Sequence, residues 1–306
     1  MSMLAKVRVR VPASTSNLGP GFDCLGMALG LYNELILERH SEDGPPEVEI
    51  EGEGASSLPR DRSNIMVRAA NTVIAGRLKN RLVFKAANRI PMARGLGSSA
   101  AAIVAGLFAA NKLLKPSPLT TEQLFEYAVV LDGHPDNAAP AVYGGVMLSV
   151  KDHKSLLNFA RKPHQDLVAV VCIPDFELAT AKARSVLPGS VLREAAVENV
   201  SRALLLGSAL ERGRWADLAA AMGDRLHQPY RAHLVQGFKD VLQAALCAGV
   251  CGAALSGSGP TVLALTRKGP KAAAIGAAME KAFHAHRVSS RSVVLPIDRQ
   301  GVRVRG

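Results

Sequence analysis

PMARGLGSSAAA, residues 91–102, runs directly into IVAGLFAANKLL, residues 103–114. A turn rich in glycine and serine therefore opens onto a long apolar segment that we predict to be a helix. The first turn of a helix leaves several backbone N–H groups without partners and carries the positive end of the helix dipole. Because anions bind at such an end, the stretch indicates a phosphate-binding loop.

Individual residues of this loop suit a phosphate group. Gly95 and Gly97 lack the Cβ atoms that would hold a polyphosphate away from the backbone, and they tolerate positive φ. The Ser98 and Ser99 hydroxyls can cap the helix or reach a phosphate or Mg²⁺. The alternative is a tight loop with a capping serine, and the loop alone leaves both interpretations open.

Spacing argues against two well-known phosphate loops. A P-loop NTPase requires a lysine directly after its glycines, whereas the basic residue of this loop, Arg94, precedes them. A dinucleotide fingerprint requires a third glycine, where this chain has Ala100, and an acidic residue about twenty positions later, which is absent. Backbone amides, a metal and side chains elsewhere must therefore neutralise the phosphates.

Length and composition predict a folded chain of two domains. The 306 residues are 48% hydrophobic, which allows a substantial core. The first residues alternate valine with lysine and arginine, so they predict a strand and not a signal peptide. The longest apolar run, residues 100–110, is shorter than the ~20 residues that span a bilayer. We expect a soluble protein without a membrane partner.

Cysteine usage and charge narrow the class further. The four cysteines show no zinc-ligand spacing and are read as small core residues of a cytoplasmic protein. The net charge of +11 is dispersed, and only 4% of residues are aromatic, so we expect no nucleic-acid partner. An anionic small substrate explains the charge equally well. The basic tail, residues 299–306, is read as a solvated edge or a frayed end.

Periodicity predicts mixed helices and strands. Alternating segments predict strands at residues 7–11, 32–38, 47–51 and 81–86. Apolar spacing of three and four predicts helices at residues 63–79, 98–114 and 121–131, the last with Thr120 and Gln123 in capping-box register. A polar stretch at residues 151–165 marks a domain boundary. Strands at 166–174, 261–266 and 291–297 and helices within 193–225, 238–248 and 269–285 follow, which predicts an α+β fold.

Three further motifs concentrate polar residues between glycines. They are PASTSNLGPGFDCLGMAL at residues 12–29, LFEYAVVLDGHPDNAAPAVYGG at 124–145 and GAALSGSGPTVLAL at 252–265. Each has an ordinary structural alternative: a turn-rich connection, a solvated helical Glu126 with Asp136 as a helix cap, and a hairpin. Their order along the chain is more specific than any of them alone.

Taken with the GLGSSAA loop, these motifs resemble the GHMP family of small-molecule kinases over nearly the whole chain. Within that family, the pairing of PASTSNLGPGFDCLG with GHPDNAAPAVYGG is very similar to the homoserine kinase branch. The resemblance implies ATP-dependent phosphorylation of the side-chain hydroxyl of L-homoserine, for threonine biosynthesis. It implies an N-terminal domain like ribosomal protein S5 domain 2 (residues 1–155), a ferredoxin-like C-terminal domain (156–306), and a homodimer.

The resemblance also implies roles for individual residues. The ATP phosphates would be wrapped by Pro91, Met92, Ala93, Arg94, Gly95, Leu96, Gly97, Ser98, Ser99, Ala100 and Ala101. Mg²⁺ would be held by Ser98 and Glu126, with Asp132 the less favoured ligand. The substrate would be bound by Asn17, Asp23, His134, Asn137, Thr180, Arg184 and Arg231. Asn137 and Asp23 would be catalytic. Whether Asp23 or Asp136 assists removal of the hydroxyl proton stays open.

Three other functions remain open from the sequence. The first is a GHMP kinase that acts on a different alcohol, such as mevalonate or shikimate. The second is an RNA-binding protein, because S5-like modules also bind RNA. The third is a degenerate kinase retained as a regulator, which the intact glycines, Ser98, Glu126 and both arginines disfavour. Asn64 is a weak candidate for an adenine contact.

Overall fold

The computed structural model describes residues 2–114, 116–152 and 155–306. Over these residues the chain forms two β-sheets and ten α-helices, which confirms the predicted α+β fold. The strands are β1 (Met3–Asn17), β2 (Gly21–Asp43), β3 (Glu47–Gly52), β4 (Asn80–Asn88), β5 (Val146–Asp152), β6 (Ser155–Arg161), β7 (Leu167–Pro174), β8 (Gly252–Leu255), β9 (Val262–Arg267), β10 (Ser290–Pro296) and β11 (Arg303–Arg305). The helices are α1 (Ile65–Ile74), α2 (Ser98–Leu113), α3 (Thr121–Asp132), α4 (Pro135–Tyr143), α5 (Thr180–Ser185), α6 (Arg193–Arg212), α7 (Leu218–Ala221), α8 (Gln228–Arg231), α9 (Phe238–Cys247) and α10 (Lys271–Ala285).

The first sheet has the strand order β11-β1-β2-β4-β3, with β5 added on β2 and β6 on β5. The four strands predicted in the first ninety residues are confirmed and lie within β1, β2, β3 and β4. Side chains of β1 alternate between the buried and the exposed face, as predicted: Val7, Val9 and Val11 are buried while Arg8 is exposed. One face of this sheet therefore supplies the surface on which the helices pack.

Helix α2 is the central helix of this half and is buried on most of its circumference. Gly106 allows α1 to approach it, because a Cβ there would lie 2.3 Å from the Met66 carbonyl oxygen. The predicted capping box at the start of α3 is confirmed: Thr120 accepts from the Gln123 N–H and the Gln123 side chain accepts from the Thr120 N–H. These contacts set how closely α1 packs on α2 and where α3 begins.

The second sheet has the order β10-β7-β9-β8, and the predicted strands and helices of this half are confirmed. Strand β7 is buried along its whole length. Val168 and Val170 contribute to a core with α9 and α10, whereas Ala169 and Val171 contribute to the core of the first half. The second sheet is thus covered on both faces, and its β8–β9 turn lies against the first half.

Two stretches have more regular structure than their composition indicates. Residues 12–29 are mostly strand, because β1 continues to Asn17 and β2 begins at Gly21. The predicted domain boundary at 151–165 falls on β5 and β6, which pair with each other; its residues 153 and 154 lie outside the described residues. Its polar composition suits an edge strand that is half exposed. The division at residue 155 stays a prediction.

The basic tail forms an edge strand, since β11 pairs with β1 through the register Val9 to Val304. The expectation of a solvated edge is therefore confirmed, and that of a frayed end is wrong. Among the described helices, none combines the length and the apolar character that a membrane span requires.

Candidate active site

A cavity of about 310 Å³ lies where the two halves meet. The phosphate loop, the β1–β2 turn, the α3–α4 junction, α5 and the β8–β9 turn all contribute to its lining. Its walls are formed by Ser16, Asn17, Asp23, Pro91, Ala93, Arg94, Gly95, Leu96, Gly97, Ser98, Ser99, Ala100, Asp132, His134, Asp136, Asn137, Thr180, Arg184, Arg231, Gly257 and Ser258. Most residues expected to bind ATP or substrate thus line one cavity, whereas Met92, Ala101 and Glu126 do not.

The loop before α2 depends on two glycines with positive φ. Gly97 is the N-cap residue (φ 69°), and a Cβ there would lie 2.0 Å from the Ser14 hydroxyl oxygen. A Cβ on Gly95 would lie 2.2 Å from the Ser256 carbonyl oxygen. No side chain caps the helix, and Ser98 Oγ instead donates to the Ile90 carbonyl at 3.3 Å. The first-turn amides of α2 therefore remain available to an anion.

Arg94 does not face the phosphate site as a free cation. Its Nε donates to the Pro174 carbonyl at 3.0 Å and its Nη1 to the Met92 carbonyl at 3.1 Å. Nη1 also lies 3.5 Å from the Glu177 carboxylate. The side chain fastens the loop to the second half, so positive charge for a ligand must come from other groups.

The β1–β2 turn brings polar side chains to the cavity through unusual backbone conformations. Asn17, Leu18 and Asp23 have positive φ. The Asn17 amide is buried and fully engaged: Nδ2 donates to the Gly257 carbonyl at 2.9 Å, and Oδ1 accepts from the Asp23 N–H at 3.0 Å. Asn17 thus holds the turn closed and ties it to the second half, while the Asp23 carboxylate lines the cavity.

The α3–α4 junction presents Asp132, His134, Asp136 and Asn137. Asn137 is oriented by two serines, because its Oδ1 accepts from Ser14 Oγ at 2.9 Å and its Nδ2 donates to Ser16 Oγ at 3.2 Å. Neither serine was assigned a role from sequence, although both belong to the PASTSN motif. The orientation of the Asn137 amide is therefore set by β1, a strand more than one hundred residues earlier.

Asp136 is 4% exposed, and its Oδ1 has no hydrogen-bond partner among the described residues. Burial, followed by repulsion from Asp23, raises the pKa of Asp136 to about 6. Burial also raises the pKa of Asp132 to about 6, against the opposing effect of the Ser99 hydroxyl. Two carboxyl groups with displaced pKa values in one cavity are typical of a functional site.

The structure does not bring Glu126 to this cavity. Its side chain is exposed on α3, near Tyr143, whose pKa is raised by burial and, to a smaller extent, by the charges of Glu122 and Glu126. Asp132, six residues further along the same helix, lines the cavity instead. Six residues correspond to about 600° of helical rotation, so the two side chains point to different sides of α3.

The second half contributes two arginines. Arg184, on α5, donates through Nη2 to Asp23 Oδ1 at 2.6 Å. Arg231 is 2% exposed, and its guanidinium donates to the carbonyls of Ala183 (3.0 Å) and Gly257 (3.2 Å). Thr180 Oγ1 lies 3.4 Å from Ser258 Oγ. Helical spacing correctly aligned Thr180 with Arg184, whereas the Arg184–Asp23 ion pair is a tertiary contact that no local pattern indicates.

An aromatic ring beneath both arginines was missed from sequence. The Cζ atoms of Arg231 and Arg184 lie 5.4 and 5.7 Å from the centroid of the Phe22 ring. These distances are those of cation–π contacts. A single phenylalanine between glycine and aspartate carries no signal of this role, because the arginines lie more than 160 residues away.

Comparison with known proteins identifies relatives of the whole chain. Residues 64–145 match the family model for the GHMP kinases N terminal domain, and residues 207–285 match that for GHMP kinases C terminal. Homoserine kinase of Carboxydothermus hydrogenoformans is 45% identical over 90% of each chain. Homoserine kinase of Desulfitobacterium hafniense is 41% identical over 97% of this chain and 99% of its own.

Comparison with solved structures identifies the same family. The crystal structure of homoserine kinase from Cytophaga hutchinsonii superposes with a TM-score of 0.89 at 30% identity, covering 100% of this chain and 99% of the other. L. major mevalonate kinase in complex with R-mevalonate has a TM-score of 0.70 at 18% identity, over 93% of this chain and 94% of the other. The second likeness extends to the fold alone.

Replacing Asp136 by Asn should change the pH dependence of stability. A carboxyl group whose pKa rises on folding binds more protons in the native than in the unfolded chain between about pH 4 and pH 6. Stability from this group therefore falls as pH rises through that window and stays low above it. We expect Asp136→Asn to raise the free energy of unfolding by about 1 to 3 kcal/mol at pH 8 and much less at pH 4, measured by urea unfolding at both pH values.

The matched control is Asp61→Asn, at an exposed aspartate whose pKa is lowered by the Ser63 hydroxyl. This change should lower stability slightly at pH 8, opposite in sign to Asp136→Asn. An Asp136→Asn protein that is less stable than wild type at pH 8 would contradict the burial of an unpartnered carboxylate.

Proposed function

The chain belongs to the homoserine kinase family of GHMP kinases, and from this premise we propose how its cavity phosphorylates L-homoserine with ATP. The acceptor hydroxyl oxygen attacks the γ-phosphorus, the bond from that phosphorus to the β,γ-bridging oxygen breaks, and ADP leaves. The hydroxyl proton passes to a carboxylate of the cavity, and the product is O-phospho-L-homoserine. The observation that carries this proposal is the ion pair of Asp23 and Arg184, which lies beside the phosphate loop in one cavity. These two opposite charges match the ammonium and the carboxylate of an amino acid.

ATP phosphates are proposed to bind at the loop of residues 91–101, whose glycines let the backbone approach an anion. Amides of the first α2 turn carry the positive dipole end, and no side chain caps them. The loop contains no lysine that could act as in a P-loop. Met92 lies between the lining residues Pro91 and Ala93, and Ala101 directly follows Ala100, but neither Met92 nor Ala101 lines the cavity.

The charged groups of the substrate are proposed to replace the internal contact between Asp23 and Arg184. The ammonium of L-homoserine would take the Asp23 carboxylate, and its carboxylate would take Arg184 and Arg231. Until then Asp23 and Arg184 neutralise one another at 2.6 Å. An alcohol without an ammonium, such as mevalonate, would separate this pair and leave Asp23 without a cation, a cost that favours the amino acid.

Asn137 is proposed to orient the reacting hydroxyl, with His134 and Thr180 at the edge of the same pocket. Phosphoryl transfer passes through a loose transition state that needs positioning and charge stabilisation more than a strong base. Asp23 is occupied by the ammonium in this arrangement. Asp136, which has an oxygen without a partner among the described residues, is the carboxylate left to receive the hydroxyl proton.

Ser98 and Asp132 are proposed to hold Mg²⁺ beside the phosphate loop. Both line the same cavity, and a hydroxyl with a carboxylate is the donor set that a hard cation prefers. Two protein ligands would suffice, because Mg²⁺ keeps several waters in protein sites. The ion would neutralise phosphate charge there, and we assign Asp132 the role expected of Glu126.

We also propose a cytoplasmic enzyme without a nucleic-acid partner. All four cysteines are free, as in a reducing compartment. Arg184 and Arg231 line the cavity, where we propose that they bind an anionic small molecule and not RNA.

A homodimer is proposed to form through an apolar surface that we call the α6–β6 surface: Val197, Val200 and Leu204 on α6 with Leu157 and Phe159 on β6. The three α6 side chains are 61–73% exposed and recur at spacings of three and four, so they form one stripe. Phe159 pairs with Leu148, which lines the groove of about 430 Å³ against α6. The helix and the strand thus share one exposed apolar face.

Charge complementarity on α6 argues that the occupant is a second copy of this chain. The helix begins with Arg193 and Glu194 and ends with Glu211 and Arg212. An antiparallel second α6 across a twofold axis brings the two ends together, so that Arg193 faces Glu211 of the partner subunit. A surface that is apolar in the middle and complementary to itself at both ends suits an isologous dimer.

Turnover should depend on L-homoserine. With Mg²⁺ and ATP, the purified protein is expected to release ADP rapidly only when L-homoserine is present, and to form O-phospho-L-homoserine in equal amount. The measurement is coupled ADP release with mevalonate and shikimate as matched acceptors. Consumption of either of those without L-homoserine turnover would contradict the substrate, and salt-sensitive RNA binding that ATP does not displace would support the RNA-binding alternative.

Asp132→Asn should raise the Mg²⁺ concentration for half-maximal activity by at least about tenfold, a loss of about 1.4 kcal/mol of binding free energy. The physical reason is the removal of the carboxylate that lies beside the phosphate loop. Glu126→Gln, on the same helix but exposed, is the matched control and should behave as wild type. Equal effects, or a larger effect at Glu126, would restore Glu126 as the metal ligand.

Leu204→Glu should convert a dimer into a monomer, because it places a charge at the centre of the α6–β6 surface. Sedimentation equilibrium of wild type and variant measures the mass directly. Val130→Glu is the matched control, since Val130 is a 78% exposed apolar residue on α3 outside this surface. A monomeric wild type, or a Leu204→Glu protein that remains dimeric, would rule out this interface.

A further inference from the structure

We propose that His227 is a positioning residue of this kinase, whose imidazole holds the Arg231 guanidinium and the β1–β2 turn in the arrangement that the substrate requires. The inference rests on the proposed function, since it takes Arg231 as a group that binds the substrate carboxylate. His227 precedes α8 and does not line the cavity, so its effect must pass through its neighbours.

Both ring nitrogens of His227 are engaged, and the side chain is fully buried. Nδ1 lies 3.3 Å from Arg231 Nη1, and Nε2 lies 2.8 Å from the Gly19 carbonyl oxygen. A guanidinium can only donate, so Nδ1 must accept and carry no hydrogen. The proton therefore sits on Nε2 and is donated to Gly19. One neutral tautomer satisfies both contacts.

The charged groups around the ring are consistent with this tautomer. Burial, assisted by Arg231, lowers the pKa of His227, whereas Asp224 and Asp23 oppose that shift. The Asp224 carboxylate is already occupied by the backbone N–H groups of Leu226, His227 and Gln228 at 2.6–3.0 Å. Asp224 thereby fixes the backbone from which His227 extends, and it does not need a protonated imidazole.

The two elements that His227 connects each carry a substrate group. Its ring stacks on Phe22, with centroids 5.2 Å apart and planes inclined by 22°. Phe22 immediately precedes Asp23 on the turn, and Arg231 Cζ lies 5.4 Å from the centroid of the same ring. Gly19 packs closely against Met222, because a Cβ at this position (φ 89°) would lie 2.2 Å from the Met222 carbonyl oxygen. The imidazole therefore spaces Asp23 and Arg231 relative to each other.

Two substitutions of His227 each remove one of its two hydrogen bonds and retain the other. In His227→Asn the amide ends near the position of Nδ1 and can still accept from Arg231, whereas in His227→Gln it ends near Nε2 and can still donate to Gly19. Each variant loses one buried hydrogen bond, so a general loss of stability is common to both. His233→Gln, at an exposed histidine two residues beyond Arg231, is the matched control.

Steady-state kinetics give the decisive measurement. We expect His227→Gln, which releases Arg231, to raise KM for L-homoserine by about tenfold, and His227→Asn, which releases the β1–β2 turn, to raise the same KM, with kcat and KM for ATP nearly unchanged in both. An unchanged KM for L-homoserine in either variant, or a parallel rise in KM for ATP, would overturn the positioning role. Nitrogen-15 NMR of the free enzyme should show His227 as the neutral Nε2–H tautomer at pH 7; a protonated ring would also overturn it. Absence of wild-type turnover with L-homoserine would contradict only the proposed function.

Discussion

The rest of the site depends on the close contact between the β8–β9 turn and the first half of the chain. The Gly257 carbonyl accepts from both Asn17 Nδ2 and Arg231 Nη1, and its N–H donates to the Ser16 carbonyl. One residue earlier, Ser256 Oγ lies 2.6 Å from the Gly95 carbonyl of the phosphate loop. One short turn thus contacts the loop before α2, the β1–β2 turn and Arg231. Because Gly95 has no Cβ, the two turns can approach one another.

The electrostatics of the cavity follow from how its charges are paired before any ligand binds. Arg184 is neutralised by Asp23, whereas Arg231 is hydrogen-bonded to carbonyl oxygens and the His227 ring. Asp136 has an oxygen without a described partner, and burial followed by repulsion from Asp23 raises its pKa. In the proposed function, a zwitterionic substrate replaces the Asp23–Arg184 pair with its own ammonium and carboxylate, whereas a ligand of a single charge leaves one member of that pair without a partner. The proposed specificity thus depends on this pairing.

Local patterns predicted the elements well and the site only in part. The alternation in β1, the capping box at Thr120 and the helix predicted for α2 depend on neighbours a few residues away, and each is confirmed. Glycine, proline and asparagine in the motif at residues 12–29 suggested a turn-rich connection. These residues form the ends of two paired strands, where Asn17 and Asp23 adopt positive φ within a tight turn. The composition of a turn indicates that the chain bends there, but not that the residues on either side of the bend pair as strands.

By itself, the sequence determined the family and the α+β class and predicted a phosphate loop, because these depend on contiguous motifs and local patterns. Only the tertiary structure decided which side chains reach the cavity. It turned Asp132 inward and left Glu126 exposed, it placed Phe22 beneath two arginines, and it joined His227 to the β1–β2 turn. The physical reason is that these contacts join residues far apart in the chain. Their partners are set by the packing of one half on the other and by helical rotation, and a linear motif records neither.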